Sequence, residues 1–407
     1  MNMVYDAIHG FIPCDPLEAD WIKSSCFIRL QTINQLGAAY RIFPGARHSR
    51  FEHSLGVMHL ATILFDHVMS KTPFIEESRR PIYRQALRLA ALAHDLGHLP
   101  FSHTAEKLVL QGDCHEAWTL KLIDAEIGSG RLAAFVELGK KSGIDAVELM
   151  KKIAVGEEIY HRYVDQKPYS DDEKIMSEIL TGDFFGADRM DYLLRDAKHS
   201  GLSYGVYDHQ QLIMSMLVSH DPRSGKKVLM MDEKGLQACE SMLVARYFMY
   251  RRLYMNPKVL VVAHPLSRIV KSVMDKMQGL ASCENYLAVS DIEVLYYIRS
   301  KAWQSNEDQL WVEMFEKNAR DYEGMMVTDH QLKVLQEGVL KNACIVVPKS
   351  QKRSFFNSDS LVKTVHGIYP FKILSKLVIP HTSENFVLFE SQLMANVLSE
   401  LHEAGIS

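Results

Sequence analysis

At 407 residues, 47% of them hydrophobic and 24% charged, the chain has enough apolar material for one large domain with an appendage, or two domains. A formal charge of -4 and a pI near 6.5 argue against a dedicated nucleic-acid-coating surface. Six scattered cysteines without a C-x-x-C pair, no basic-then-apolar leader, and no run of about 18 apolar residues lead us to expect reduced thiols, a cytoplasmic protein and no membrane span.

Gly10, Pro13 and Pro16 punctuate an extended segment or turn over residues 4–16, and Asp15 before Pro16 marks a helix start. Trp21, Ile22, Phe27, Leu30, Ile33 and Leu36 recur at mostly helical spacing, which predicts a helix from Leu17 to about Ala39. Pro44-Gly45 breaks the pattern. Arg47-His48-Ser49-Arg50-Phe51-Glu52-His53-Ser54, dense in cations and imidazoles, leads into an amphipathic helix over Leu55 to Met69. The next helix runs from Tyr83 to His98, and Gly97 and Pro100 end it. Helical pattern resumes over Glu116 to about Ala154, Ile175 to Gly182 and Gly186 to Lys198, with Tyr160 to Asp172 as a polar surface excursion.

Lys226 to Asp232 follows an Asp221-Pro222-Arg223-Ser224-Gly225 turn signal and reads as one strand of a hairpin. Gly235 to Met255 is a long helix rich in Tyr and Arg, with Tyr247, Tyr250 and Tyr254 on one face and Arg246 one turn before Tyr250. An aromatic stripe is usually core, but tyrosine interleaved with arginine suits a polar pocket wall better than a dry core. Beyond about Val334 the runs Cys344 to Val347, Val362 to Val365 and Phe386 to Phe389 are short and β-branched or aromatic, with a last helix from about Ser391. The expected fold is mainly α with a short β-hairpin. Residues 1–335 form the helical domain and residues 336–407 a small α+β region.

Histidine clusters around one stretch, His94-Asp95-Leu96-Gly97-His98 followed by His103 and His115. Isolated helix histidines such as His59, His67 and His209 read as packed or solvated residues. A buried Asp beside His94 on an apolar helix, by contrast, needs a partner for its charge, and a metal supplies one. Imidazole and carboxylate together suit a divalent ion such as Mn, Fe or Zn. Two ligands are too few, so another His and another carboxylate must come from elsewhere. His53 and Asp188, each near a predicted helix start, are the candidates.

His53, His94-Asp95 and Asp188 reproduce the H…HD…D signature, and the chain resembles the HD superfamily of metal-dependent phosphohydrolases. The flanks Asp6-Ala7-Ile8-His9-Gly10, Gln35-Leu36-Gly37, Phe43-Pro44-Gly45-Ala46, Arg50-Phe51-Glu52-His53, Pro100-Phe101-Ser102-His103 and Asp188-Arg189-Met190-Asp191-Tyr192 are similar to its deoxynucleotide triphosphohydrolase branch. The similarity is clear over residues 4 to about 260, with the HD core at about 48–202. It implies hydrolysis of a deoxynucleoside triphosphate (dNTP) to the deoxynucleoside and inorganic triphosphate, with one divalent metal on His53, His94, Asp95 and Asp188. Mn, Fe, Zn, Ni and Mg are not distinguished, and a further Mg can accompany the triphosphate.

By the same resemblance His98, His103, Glu106 and His115 flank the α-phosphate, the Glu106 and His115 pair serving in proton transfer to the leaving 5′ oxygen. Gln35, Leu36, Tyr192 and Asp196 meet the sugar, Asp196 at the 3′ hydroxyl. Arg50, Arg189 and Arg246 meet the phosphates, with Tyr250 and Tyr254 beside them. Arg189 stands where the mammalian member of the branch has Lys, and Tyr250 and Met255 where it has His and Gln. Lys23, Ile28 and Gln31 replace the residues with which that member binds an activating guanine nucleotide, so activation of that type is not expected. The branch also implies a homo-oligomer, dimer or tetramer. Two alternatives are another nucleotide phosphate ester as substrate, and a non-catalytic nucleotide-sensing or nucleic-acid-binding protein. The acidic balance counts against the latter.

Overall fold

The computed structural model describes residues 2–182, 185–301, 303, 305–317, 321–337, 345–347, 360–375, 377 and 385–403. Glu52 accepts a hydrogen bond from the Ser49 N–H at 3.2 Å and closes the start of the 22-residue helix Arg50–Lys71. That helix is apolar on most sides because it runs through the core, packed between Arg80–Ala93 and Ala187–Ser200. Gly56 allows the second contact. A Cβ there would lie 1.9 Å from Asp191 Oδ1 and 2.4 Å from Arg195 Nη2. Ala146–Tyr163 and Asp171–Thr181 pack beside these three helices and complete the layer around the candidate ligands.

The single helix expected over Leu17 to Ala39 is instead two short helices, Pro16–Ile22 and Ser25–Arg29, followed by 3-10 turns at Leu30–Thr32 and Gly37–Arg41. Asp15 caps the first and Ser24 caps the second, so a competing start signal divides the periodic run. Asn34 then pairs with Ser49 as a bridge, which lays residues 33–36 along the entrance of the central helix.

Near the N-terminus, strands Asn2–Asp6 and Gly10–Cys14 form an antiparallel hairpin. A second hairpin, Met216–His220 with Lys227–Asp232, is extended by Leu361–Thr364 and Gly367–Pro370 into a four-stranded sheet in which Lys227–Asp232 and Leu361–Thr364 run parallel. A three-stranded sheet of Tyr322–Val327, Asn385–Glu390 and Ile345–Val347 carries helices Asp329–Glu337 and Met394–Glu403. Val327, Leu335, Val387, Phe389, Val397 and Leu401 give this unit its own small core. Residue 336, the expected start of the α+β region, lies inside one of its helices, and Cys344 lies outside the described residues.

Buried Arg88 ties the first turns of the chain to this frame. Its Nη2 donates to Glu18 Oε2 at 2.6 Å and to the Pro13 carbonyl at 2.8 Å, while Nη1 donates to Thr62 Oγ1 at 2.7 Å. Glu18 is fully buried. Replacing it with Ala strands the guanidinium, and urea unfolding should show a loss of about 3–5 kcal/mol.

Candidate active site

His53 sits one turn into Arg50–Lys71, His94 and Asp95 follow the end of Arg80–Ala93, and Asp188 lies in the first turn of Ala187–Ser200. These four expected ligands converge. His53 Nε2 is 3.0 Å from Asp188 Oδ1 and 3.6 Å from Asp95 Oδ2. His94 Nε2 is 3.5 Å from Asp95 Oδ1 and 3.8 Å from Asp188 Oδ1. His94 Nδ1 donates to the Ala91 carbonyl at 2.8 Å, which leaves the lone pair on Nε2, a buried atom without a hydrogen-bond partner. His53 Nδ1 meets Asp191 Oδ2 at 2.8 Å and likewise turns Nε2 toward the cage. Two imidazole nitrogens and two carboxylates fit a divalent cation of borderline hardness. Burial opposes a charge on His53, but Asp188, Asp191 and Asp95 outweigh it and raise its pKa to about 10. His53 would have to give up that proton to hold a cation.

Behind the cage lies a layer whose roles sequence reasoning missed. Asp191 Oδ1 also meets His9 Nε2 at 2.7 Å, and Arg195 holds both Asp191 oxygens at 2.8 and 2.9 Å while reaching Asp6 Oδ2 at 2.8 Å. The available signal was helical spacing: Asp191 is one turn after Asp188, and Arg195 is four residues after Asp191.

His98, His103, Glu106 and His115 form a second group against the first, with His98 Nε2 3.1 Å from Asp95 Oδ1. The His98 and His115 rings stack at 3.7 Å between centroids, and His103 meets His98 edge-on at 4.6 Å. Glu106 joins the outer two: Oε2 meets His103 Nδ1 at 2.6 Å, and Oε1 meets His115 Nδ1 at 2.9 Å. Gly97 makes the approach feasible, since a Cβ there would lie 1.9 Å from the His115 carbonyl. Burial opposes ionisation of Glu106, but hydrogen bonds from His103 and His115 hold its carboxyl far below the usual range. Burial also disfavours imidazolium at His115, yet Glu116 and Glu106 raise its pKa. Burial, Arg50 and His115 push His98 well below the ordinary value. Two stacked imidazoles are thus driven apart in basicity, His115 the more basic and His98 the less.

The expected sugar and base contacts occupy a third group. Asp196 Oδ2 accepts from the Tyr254 hydroxyl at 2.6 Å, and Oδ1 meets His48 Nε2 at 2.8 Å. Tyr192 and Tyr250 lie edge-on to Tyr254 at 6.1 and 6.5 Å. Gln35 joins through its N–H, which donates to the His48 carbonyl at 3.0 Å, and Leu36 packs half-buried on the core. His48 is a further residue that sequence reasoning left without a role. The tyrosine stripe divides: residues 250–254 form a π-turn that shifts register, and Tyr247 packs with Phe248 and Arg251 instead. Arg50 is buried, with Nη1 on Asp95 and Nε on Ser102, so it braces the cage. Arg189 is half-buried beside Asp188, and Arg246 is buried on the helix that precedes the π-turn.

Comparison with known proteins accounts for this arrangement. Residues 50–179 match the HD domain and residues 207–379 the HD associated region. An uncharacterized protein of Bacillus subtilis is 31% identical over 325 residues, covering 75% of this chain and 67% of that protein. The chain belongs to the HD-domain family. Its HD match contains His53, His94 and Asp95, three of the four residues that line the cage. An uncharacterized protein of Methanocaldococcus jannaschii is 31% identical over 300 residues, 74% of this chain but 55% of that protein. The human deoxynucleoside triphosphate triphosphohydrolase SAMHD1 is 31% identical over 224 residues, 52% of this chain and 35% of its own. Among solved structures, a hypothetical protein from Aquifex aeolicus superposes with a TM-score of 0.74 at 27% identity over 98% of this chain and 99% of its own. A phosphohydrolase from Bacteroides thetaiotaomicron, 19% identical, shares the fold with a TM-score of 0.71 over 96% of this chain and 100% of its own. Among the described residues, no helix is long and apolar enough to cross a membrane.

Removing a ligand of the HD centre and removing its support should differ in degree. His94→Ala should abolish bound metal measured by elemental analysis, and Asp191→Asn should weaken cation affinity by about 10–100-fold.

Proposed function

We propose that this HD protein hydrolyses deoxynucleoside triphosphates to the deoxynucleoside and inorganic triphosphate. The observation that carries the reading is the continuity of the three groups: the cation cage touches the His98 and His115 stack through Asp95, and Asp196 stands two turns beyond Asp188 on one helix. A triphosphate at the cage then has a proton donor on one side and a sugar anchor on the other. The likeness to SAMHD1 supports this substrate class.

When bound, a divalent cation supplies Lewis acidity toward a phosphoryl oxygen. The chain's own residues do the rest. Water attacks the α-phosphorus, the bond to the 5′ oxygen breaks, and His115 gives that oxygen its proton; the proton shed by the water restores the imidazolium. Glu106 keeps His115 charged and aimed. Asp196, fixed by His48 and Tyr254, receives the 3′ hydroxyl, and Tyr192 and Tyr254 crowd the sugar where a 2′ hydroxyl would stand. Arg189 and Arg246 meet the phosphates.

Metal-loaded protein incubated with each dNTP should yield inorganic triphosphate, resolved from phosphate and pyrophosphate by phosphorus NMR. Release of phosphate or pyrophosphate in its place overturns the reading. His115→Ala should lower kcat by about 100- to 10,000-fold while keeping its metal. We further propose a cytoplasmic homo-oligomer, dimer or tetramer, and light scattering with and without dNTPs should give a mass at least twice that of one chain.

A further inference from the structure

The turn that carries His98 and leads into His103 has a backbone its own sequence opposes. Phe101 and Ser102 both lie in the left-handed region, at φ 57° and 59°, and neither is glycine. Such a turn persists only where its surroundings fix it, and the fixing group comes from the HD associated region.

Asp291, 3% exposed, begins the helix Asp291–Ser300. Its Oδ1 accepts from the Phe101 N–H at 2.6 Å. Its Oδ2 accepts from the Asn34 backbone N–H at 2.9 Å and from Asn34 Nδ2 at 2.7 Å. The line continues inward: Ser102 Oγ donates to the Asn34 carbonyl at 2.6 Å and accepts from Arg50 Nε at 2.8 Å, and Arg50 Nη1 bonds to Asp95. Neighbouring groups secure the same turn. The Tyr286 hydroxyl donates to the Gly97 carbonyl, and Arg29 joins the His98 and Val289 carbonyls at 2.9 Å each. Burial pushes the Asp291 carboxyl up to about 7 against the pull of its N–H donors and Arg29. Three donors from two separate segments converge on this one buried side chain and tie those segments together.

We propose that Asp291 is a positioning residue of the HD centre, a carboxylate of the associated region that fixes the left-handed turn bearing His98 and His103 to the segment bearing Gln35. The inference rests on the reading of the histidine group as the phosphate-side machinery. Asp291→Asn is the test, because it keeps volume and turns one acceptor oxygen into a donor facing an N–H.

In the full metal-loaded chain, Asp291→Asn should speed amide exchange at least tenfold in peptides covering 33–36 and 97–104 and leave other segments unchanged. kcat on dNTPs should fall at least tenfold, with KM within threefold and bound metal unchanged. Wild-type exchange in those two segments overturns the proposal, and so does faster exchange with wild-type kcat. If the wild type releases no triphosphate from any dNTP, the substrate reading fails while the exchange comparison still decides the clamp. If Asp291→Asn does not fold, Asn34→Ala removes one donor only; it should speed exchange in the same two segments, and no change there also overturns the proposal.

Discussion

The carboxylate of Asp191 is the interaction on which the rest depends. Fully buried, it is met by His53, His9 and Arg195, so one anion fixes the tautomer of a cage imidazole, the N-terminal hairpin and the helix Ala187–Ser200 together. A buried charge is tolerable only when its partners are complete, and here Arg195 in turn spends its third contact on Asp6. Gly56 makes the arrangement sterically feasible, because any side chain there would occupy the space of that carboxylate. His53 is therefore oriented toward the cage by a group that stands behind it.

A second consequence of burial appears at the stacked histidines. His98 and His115 share one environment, yet Arg50 beside the first and Glu116 with Glu106 beside the second shift their basicities in opposite directions. The difference in basicity follows from which charges neighbour each ring rather than from residue type.

The convergence of the four expected ligands was legible in the sequence because His and Asp side by side on an apolar helix have few structural uses, and because His53 and Asp188 lie in distinctive flanks. The supports were not legible. Asp191 and His9 are 182 residues apart, and Asp291 and Phe101 are 190 apart, so no local spacing connects them. His48 looked like one more cation in a basic stretch until the fold set it on Asp196. Two local errors have local causes: Ser24 restarts a helix inside a periodic run, and the π-turn at 250–254 divides a tyrosine stripe that ideal helical geometry would keep on one face. Local competition and long-range pairing are what period counting leaves out.

The four-stranded sheet has a consequence for how the chain is made. Among the described residues Lys227–Asp232 takes Leu361–Thr364 as its parallel neighbour, so on the ribosome one edge of the hairpin waits, unpaired, until more than a hundred further residues have been translated. Such late, non-local closure slows folding and leaves a strand edge open to other nascent chains. Yield during rapid expression is thereby tied to translation speed and chaperone supply rather than to the stability of the finished molecule.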